Sequence, residues 1–539
     1  VSTPSSVRLE SDDPVDADLI VVGGGPVGVS VALLAAHEGL RAVVVERATG
    51  VYELPRAVVM DDEIQRVFQR IGLGPALRDI LTPLRGGEFL GPDGERVVGI
   101  EFPEEDPDGL DQDWPLGHWP VAAYDQPELE TFLRRAAGAA GVEFRLGVEV
   151  DSVDQDDLGV RADLRPAGRP GDPTTPLRAS WLVAADGASS RIRKQLGVDF
   201  VDQGFDQEWL VVDTRVRHDG VALPRIAQQI CDPDRPTTFI PGHGPSRRWE
   251  FQLQPGETRA EMEDPDRIRS LLSPWAGPDD VDVVRSAVYR FHATVAATMR
   301  VGRILIAGDA AHQMPPFLGQ GLCAGVRDAA NLTWKLAAVQ RGTAGAGLLD
   351  SYDVERRPHA AGVVAHAVDT GRLIDQLAGR GDAGVDTDSG YGGDRPFPYL
   401  TSGALVGDHP LVGRQLPQPR RVHTSAPGDE WPDRLLDSVL PTGWAVLVPA
   451  AAPGGDPAIA TSLDAYRALG AAVVAIDDAD WAAPVLGDLR AVVVRPDRYV
   501  AAVAGPDERL PTPGELDAAL TPPTDADRTE LRVTLTGTR

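Results

Sequence analysis

Short β-branched runs separated by glycine turns dominate the start of the chain. Residues 19–23 (LIVVG) are apolar without alternation and stop at glycines, Val29 to Glu38 then carry a helical pattern, and Arg41 to Glu46 (RAVVVE) form a second β-branched run. Strand, glycine turn, helix and strand within about 30 residues predict a βαβ unit whose parallel strands are buried on both faces. Helical patterns follow from Asp61 to Ile71 and from Gln126 to Ala140. WLVAADG (181–187) and RILIAGD (303–309) read as buried strands, and Gln320 to Val339 as a long helix. Between them, residues 205–300 alternate strand patterns with Pro/Gly turns, as in RRWEFQLQPGE at 247–257, which predicts an antiparallel sheet.

Residues 380–400 turn rich in Gly, Asp and Pro and read as a linker. Beyond it, WAVLVP (444–449), AAVVAID (471–477) and RAVVVRPDRYVAAV (490–503) predict a separate set of strands. At 539 residues the chain has room for three or four domain-sized units, and 42% apolar with 25% charged residues is the composition of a globular protein. Acidic residues outnumber basic ones 81 to 52, a formal charge of −29, which argues against nucleic acid or an anionic membrane as partner. No apolar run approaches the length of a membrane span. The polar, acidic stretch Val1 to Asp18 does not read as a signal peptide, so a cytoplasmic protein is the expectation. Cys231 and Cys323 are too few for a disulfide framework and lack metal-ligand spacing, so no metal site is expected.

Chemistry enters at the first glycine turn. Gly23-Gly24-Gly25-Pro26-Val27-Gly28 has the spacing G-x-G-x-x-G between strand and helix. Gly23 permits the tight turn, Gly25 lets the backbone approach a pyrophosphate, and Gly28 allows close packing of helix on strand. The helix N-terminus then presents free N–H groups and a positive dipole end to phosphates. Glu46, followed by Arg47, ends the second strand, where an acidic side chain accepts hydrogen bonds from ribose hydroxyls. This unit alone does not distinguish FAD from NAD. Two later segments each close a predicted strand with a turn: Ala185-Asp186-Gly187-Ala188-Ser189-Ser190-Arg191, and Gly308-Asp309-Ala310-Ala311-His312, which runs through Pro315-Pro316 into Gly319-Gln320-Gly321.

Together and in this order, the three segments resemble the fingerprints of the single-component, FAD-binding aromatic hydroxylases of the para-hydroxybenzoate hydroxylase class. The resemblance spans roughly residues 17–380. Arg56-Ala57 with Asp61-Asp62-Glu63, Gln126 at a helix start, Asn331-Leu332-Thr333-Trp334-Lys335 and a C-terminal extension are similar to the 3-(3-hydroxyphenyl)propionate hydroxylase and phenol/polyketide hydroxylase branch. The resemblance implies an α/β fold: a doubly wound, Rossmann-like FAD domain (17–84, 121–200 and 301–385) interleaved with an antiparallel-sheet substrate domain (85–120 and 201–300). It further implies a disordered segment 1–16, a linker 386–400, and a thioredoxin-like domain 401–539 that lacks redox cysteines and serves packing or assembly.

By the same resemblance, FAD is bound non-covalently. Glu46 holds the adenosine ribose, Arg56 and Gln126 contact the phosphates or ribityl chain, and Asp309 binds ribityl or ribose hydroxyls. Gly319 to Gly321 bring backbone N–H groups to the isoalloxazine, with Pro316 beside it, and Asp186 and Gly187 sit by the pyrophosphate. One departure is visible: Leu322 and Cys323 stand where the family usually has Met-Asn, which leaves backbone contacts intact but puts any role of the Asn side chain in doubt. NADH or NADPH is the transient hydride donor, O2 the co-substrate, and a flavin C4a-hydroperoxide the expected hydroxylating species for a small aromatic substrate. Baeyer–Villiger oxidation or epoxidation on the same scaffold is the alternative, and a homodimer stays open. A base or acceptor for the phenol proton is required but is not identified. His243, Trp249, Phe251, Tyr289, His292 and Pro316 are the substrate-pocket candidates, with ordinary core packing as the competing reading of Trp249 and Phe251. His312 reads as structural.

Overall fold

The βαβ unit forms where its pattern places it. Ala17–Val22, Pro26–His37 and Ala42–Glu46 are strand, helix and strand, and the two strands pair in parallel. Leu19, Ile20, Val21 and Val44 are fully buried, as expected of strands covered on both faces. The structure, a computed structural model, describes residues 15–54, 56–102, 114–380, 398–419, 435–438, 440–449, 457–476 and 485–519. Residues 1–14, and 386–397 of the expected linker, lie outside the described residues.

The first sheet runs Arg300–Val301, Ile304–Ile306, Thr175–Ala184, Ala17–Val22, Ala42–Glu46, Glu143–Leu146. The last five of these strands are parallel, so the WLVAADG and RILIAGD runs end on the same side of the sheet as the first glycine turn. Val148–Gln155 and Val160–Pro166 add an antiparallel hairpin to it. The second sheet follows the alternation of 205–300: Val281–Ala296, Phe200–Val216, Ser246–Gln252, Thr237–Pro241 and Ala227–Ile230 pair antiparallel. Gly86–Leu90 then pairs in parallel with Ala227–Ile230, a detail that alternation does not encode.

Contacts divide the chain into two units: Val1–Thr333 with Ala360–Pro398, and Trp334–His359 with Tyr399–Arg539. Trp334–His359 thus groups with the C-terminal residues by contacts, whereas the family resemblance implies an FAD domain that includes it. The reason is a buried charge cluster in the second unit. Glu355 accepts hydrogen bonds from Lys335 Nζ (2.7 Å), Arg495 Nη1 and Nη2 (3.0 and 2.7 Å) and the Ala404 N–H (2.9 Å). The sheet of this unit runs Ala472–Ile476, Ala445–Pro449, Ala491–Val494, Val500–Ala504, parallel for the first pair and antiparallel thereafter. Helix Pro457–Ala468 connects the parallel pair.

Candidate cofactor and substrate site

The three glycine-bearing segments converge in the first unit. At Gly23 (φ +106°) a Cβ would lie 2.2 Å from the Ala185 carbonyl oxygen, and at Gly28 one would lie 1.9 Å from the Gly23 carbonyl oxygen. Both positions therefore exclude any side chain. Val27 touches the third segment: a Cβ at Gly308 would sit 3.0 Å from Val27 Cγ1, and one at Gly325 would sit 2.5 Å from Val27 Cγ2. Gly319, in the left-handed region at φ +64°, faces Val59, three residues after Arg56. Gly25 differs from its neighbours, since a Cβ there meets no protein atom within 4 Å. It is the N-cap of helix Pro26–His37 and supplies no side-chain cap, so the helix dipole and its first N–H groups point into open space.

Glu46 braces this turn. Its Oε2 accepts from Gly24 N (2.6 Å) and its Oε1 from Ala48 N (2.7 Å), leaving one lone pair on each oxygen for a hydroxyl. Arg47 is exposed. Arg134, which the motifs do not single out, donates from Nη2 to the Gly24 carbonyl (2.7 Å) and to Glu130 (2.8 Å). Burial raises the Glu130 carboxyl while Arg134 opposes the shift. Its spacing from Glu130, one helical turn, is the only sequence signal for the pair.

Asp186 is held by its own loop: Ser190 Oγ donates to it at 2.5 Å, and the N–H groups of Arg191 and Ile192 at 2.8 and 3.3 Å. Its carboxylate thus binds the first N–H groups of helix Arg191–Gln195, whose N-cap is Ser190, and Gly187 beside it has φ +79°. Gln126 accepts from Arg56 N (3.1 Å) and Ala57 N (2.7 Å), so it fixes the loop that presents Arg56; the guanidinium of Arg56 lies over the Tyr52 ring at 4.4 Å. Asp309 is exposed in a recess formed by surrounding protein, and its carboxylate has no protein partner among the described residues. That desolvating surround raises its pKa, and His312 and Arg56 oppose the rise. His312 itself is buried, with Nε2 2.7 Å from Asp328 Oδ2, which also accepts from Gly308 N (3.0 Å). The histidine is a brace for the loop, in line with its structural reading.

Pro316 opens the turn Pro316–Leu318, and helix Gly321–Gln340 starts just after Gln320. Gln320 is buried and accepts from Arg327 Nη1 (2.9 Å); Arg327 also pairs with Asp61 and Glu63. Leu322 and Cys323 are buried, with Cys323 Sγ 3.8 Å from the Gly319 carbonyl oxygen. An N-terminal helix turn, a partnerless carboxylate in a recess and glycines that admit close approach are features an FAD pyrophosphate and its ribityl chain require, so the residues present fit this cofactor.

The antiparallel sheet separates two sets of side chains. Trp249 and Phe251 share a face, as alternation predicts, but that face is apolar core. They pack with Leu210, Val212, Phe239, Met262, Ile268 and Leu272, and Trp249 lies 5.1 Å from the Phe239 ring. The core reading of both residues is therefore the one the packing supports. The opposite face carries Trp209, Val211 and Asp213 beside Arg248, Glu250 and Gln252 on one neighbouring strand and Arg285, Ala287 and Tyr289 on the other. This face meets the third segment, because Trp209 packs edge-on against Phe317 at 5.2 Å. Tyr289 is half-buried and stacked with Phe291, with the Arg285 guanidinium 5.2 Å from its ring centre. His292 is exposed, opposite Asp206. His243 lies at the sheet's end, with Nδ1 2.8 Å from Thr82 Oγ1. A cleft with about 110 Å³ of free volume opens there, lined by Tyr124, Asp213, Ile240, His243 and Arg248 among others. Tyr124, Arg248 and Glu250 carry no motif, and sequence reading missed them.

A family model described as an FAD binding domain matches residues 16–367. Among curated relatives, the chain is 36% identical over 444 residues to a probable NADH-specific resorcinol 4-hydroxylase of Rhodococcus jostii strain RHA1, covering 80% of this chain and 78% of that protein. It is 37% identical over 504 residues to a 3-(3-hydroxy-phenyl)propionate/3-hydroxycinnamic acid hydroxylase of Mycobacterium sp. strain JLS, covering 88% of this chain and 82% of the relative. Among solved structures, aklavinone-11 hydroxylase in ternary complex with FAD and aklavinone superposes with a TM-score of 0.77 at 27% identity, covering 94% of this chain and 99% of that one. The chain belongs to the FAD binding domain family. Within it, this protein is a flavin-dependent monooxygenase of the aromatic hydroxylase class.

Proposed function

We propose that the substrate is a phenol and that the protein hydroxylates it at a ring carbon ortho or para to the hydroxyl. The observation that carries this reading is the polar sheet face that Trp209 brings against Phe317, next to Gly319–Gly321. It combines aromatic walls with a carboxylate and cations, the groups needed to bind a ring and govern a phenolic proton. The names of the relatives point the same way, since resorcinol and 3-(3-hydroxyphenyl)propionate are both phenols.

When bound, FAD supplies the hydride-accepting and O2-activating chemistry. Glu46 accepts from ribose hydroxyls of the adenosine, Gly25 and the helix behind it receive the pyrophosphate, and Asp309 accepts from the ribityl chain. The Gly319–Gly321 backbone would supply N–H groups to the ring, and Arg56, held by Gln126, would offer its charge to the phosphates. NADH or NADPH serves as a transient hydride donor. Exclusion of water from the sheet face protects the oxygenating step from unproductive loss of H2O2.

The second unit is thioredoxin-like in this reading. A parallel pair joined by a helix, followed by an antiparallel hairpin and the helix Pro513–Ala519, supports it. Cys323 is the last cysteine of the chain, so this unit does no dithiol chemistry.

The test is direct. Denaturation should release FAD, recognised by spectrum and mass, and the holoprotein should consume O2 and NAD(P)H with a phenol panel to give products one oxygen heavier. Ester or epoxide products from ketones or alkenes, with phenols inert, would replace this reading by Baeyer–Villiger or epoxidation chemistry.

A further inference from the structure

The group that receives the phenolic proton is absent from every motif, and the polar sheet face contains one residue built for it. Glu250 lies at the middle of that face, directly opposite Val211 on one side and Thr238 on the other. It is 2% exposed, and among the described residues its carboxylate accepts no hydrogen bond. The nearest cation contact is loose, with Arg248 Nη1 3.9 Å from Oε1. A carboxylate so enclosed is ordinarily tied down by donors, because an unsatisfied buried acceptor is costly.

The same region holds further unsatisfied polar atoms. Arg248 Nη2, Asp213 Oδ2 and the Tyr124 hydroxyl are buried and lack hydrogen-bond partners among the described residues, with Arg285 Nη1 3.7 Å from Asp213 Oδ2. Tyr124 and Arg248 are close enough to interact electrostatically, and Tyr124 also feels Cys323, at the start of the helix that follows Gly319–Gly321. These donors and acceptors come from separate elements, and Tyr124, Asp213 and Arg248 line one cleft. A ligand hydroxyl placed among them would satisfy several at once.

We propose that Glu250 is the catalytic base of the hydroxylation, accepting the phenol proton while Arg248 and the Tyr124 hydroxyl hold the resulting phenolate oxygen. This rests on the phenol reading above. The substrate O–H bond breaks, an O–H bond forms on the Glu250 carboxylate, and the electron pair left on oxygen enriches the ortho and para carbons. The oxygen-transfer step that follows belongs to the established activity.

The electrostatic setting suits the role. Burial raises the Glu250 carboxyl from its ordinary value of 4.5 to about 7, with Arg248 opposing and Asp213 adding to the rise. The charged and titratable groups on the surrounding elements are Arg248 on its own strand, Asp213 on Phe200–Val216, Arg285 and Tyr289 on Val281–Ala296, and Asp375, which accepts from Gln207 and Gln252. A base with a pKa near working pH is about half ionised there and still basic enough to take the proton.

The experiment uses holoenzyme, with resorcinol and 3-(3-hydroxyphenyl)propionate as probes. In wild type, kcat should rise with pH through about 7, and bound phenol should show a phenolate difference spectrum above that pH. Glu250→Gln should lose that rise, lower kcat at pH 8 at least about tenfold with little change in KM, and leave bound phenol neutral. Glu250→Asp should recover part of the rate and the pH dependence. Melting temperature tests folding independently of turnover: the Gln variant should match wild type below pH 4.5 and exceed it at pH 8. A Gln variant that keeps wild-type kcat and pH profile overturns the assignment of Glu250 alone. A wild type that retains FAD but hydroxylates no phenol overturns the functional reading, and this assignment with it.

Discussion

Gly25, Gly28 and Asp309 show how differently single positions of one site are constrained. A side chain at Gly28 collides with the Gly23 carbonyl, so Gly28→Val should not fold, whereas at Gly25 a Cβ meets no protein atom. Gly25→Val should therefore melt like wild type yet retain no FAD, as flavin absorbance after gel filtration would reveal; a yellow Gly25→Val protein would refute the pyrophosphate assignment. Asp309→Ala should weaken FAD by about 1.5–3 kcal/mol, the worth of a charge-assisted hydrogen bond, with no loss of melting temperature, because its carboxylate has no protein partner among the described residues. Glu250 illustrates the opposite balance. Its folded-state pKa of about 7 lies above its ordinary 4.5, so the protonated form is favoured by the fold. The stability this contributes is complete below pH 4.5 and is lost as pH rises through 7, and thermal melts of wild type across that window should decline accordingly.

At the scale of elements, capping and buried charge explain what periodicity alone leaves out. Helix Asp62–Arg70 starts where the pattern predicts because Asp61 Oδ1 caps Ile64 N at 3.1 Å. The other oxygen of Asp61 pairs with Arg327, as does Glu63, tying this helix to Gly321–Gln340. Arg327→Leu would remove the cation paired with two buried carboxylates, and the expected cost is about 3–5 kcal/mol. Chemical denaturation should show this as a shifted midpoint; an unchanged midpoint would mean the pairs are dispensable. Helix Asp350–Leu377 is the longest element that sequence reading did not identify, and Pro358 inside it is the reason. Proline removes a backbone donor and normally ends a helix, so local rules disfavour what burial of Tyr352, Val363, Val364 and Leu373 stabilises.

At the scale of the whole molecule, coupling and assembly are the testable properties. We expect NAD(P)H to reduce the flavin slowly alone and at least about tenfold faster with a suitable phenol, a barrier change of about 1.4 kcal/mol. Anaerobic stopped-flow reduction measures this, and equal rates with and without every phenol would exclude substrate gating. Thiol reagents should leave turnover unchanged, since both cysteines are buried and burial pushes the Cys231 thiol up to about 12. Truncation after Pro398 should be harmful for another reason: it removes Arg495 and the Ala404 N–H, which donate to the buried Glu355, while Lys335 beside it is lowered to about 8 by burial. A truncated chain that melts like wild type would show that this charge cluster does not stabilise Trp334–His359.

The sequence by itself determined the parallel strands, the glycine turns and the order of the three cofactor segments. Each of these is local: burial on both faces, positive φ and close backbone approach are written in runs of a few residues. The sequence also fixed that Trp249 and Phe251 share a face, but not which side that face would meet. Only the tertiary structure decided that these aromatics pack into core while Arg248, Glu250 and Asp213 lie on the face that carries Trp209. Period-2 alternation specifies which side chains lie together and is silent on what covers them. Nor could it reveal the contact of Arg134 with the Gly24 carbonyl, the place of Tyr124 in the cleft, or the pairs of Arg327, which join residues far apart in the chain. Their roles arise from pairings made across space, where a buried charge or hydroxyl acquires meaning only from what is opposite it.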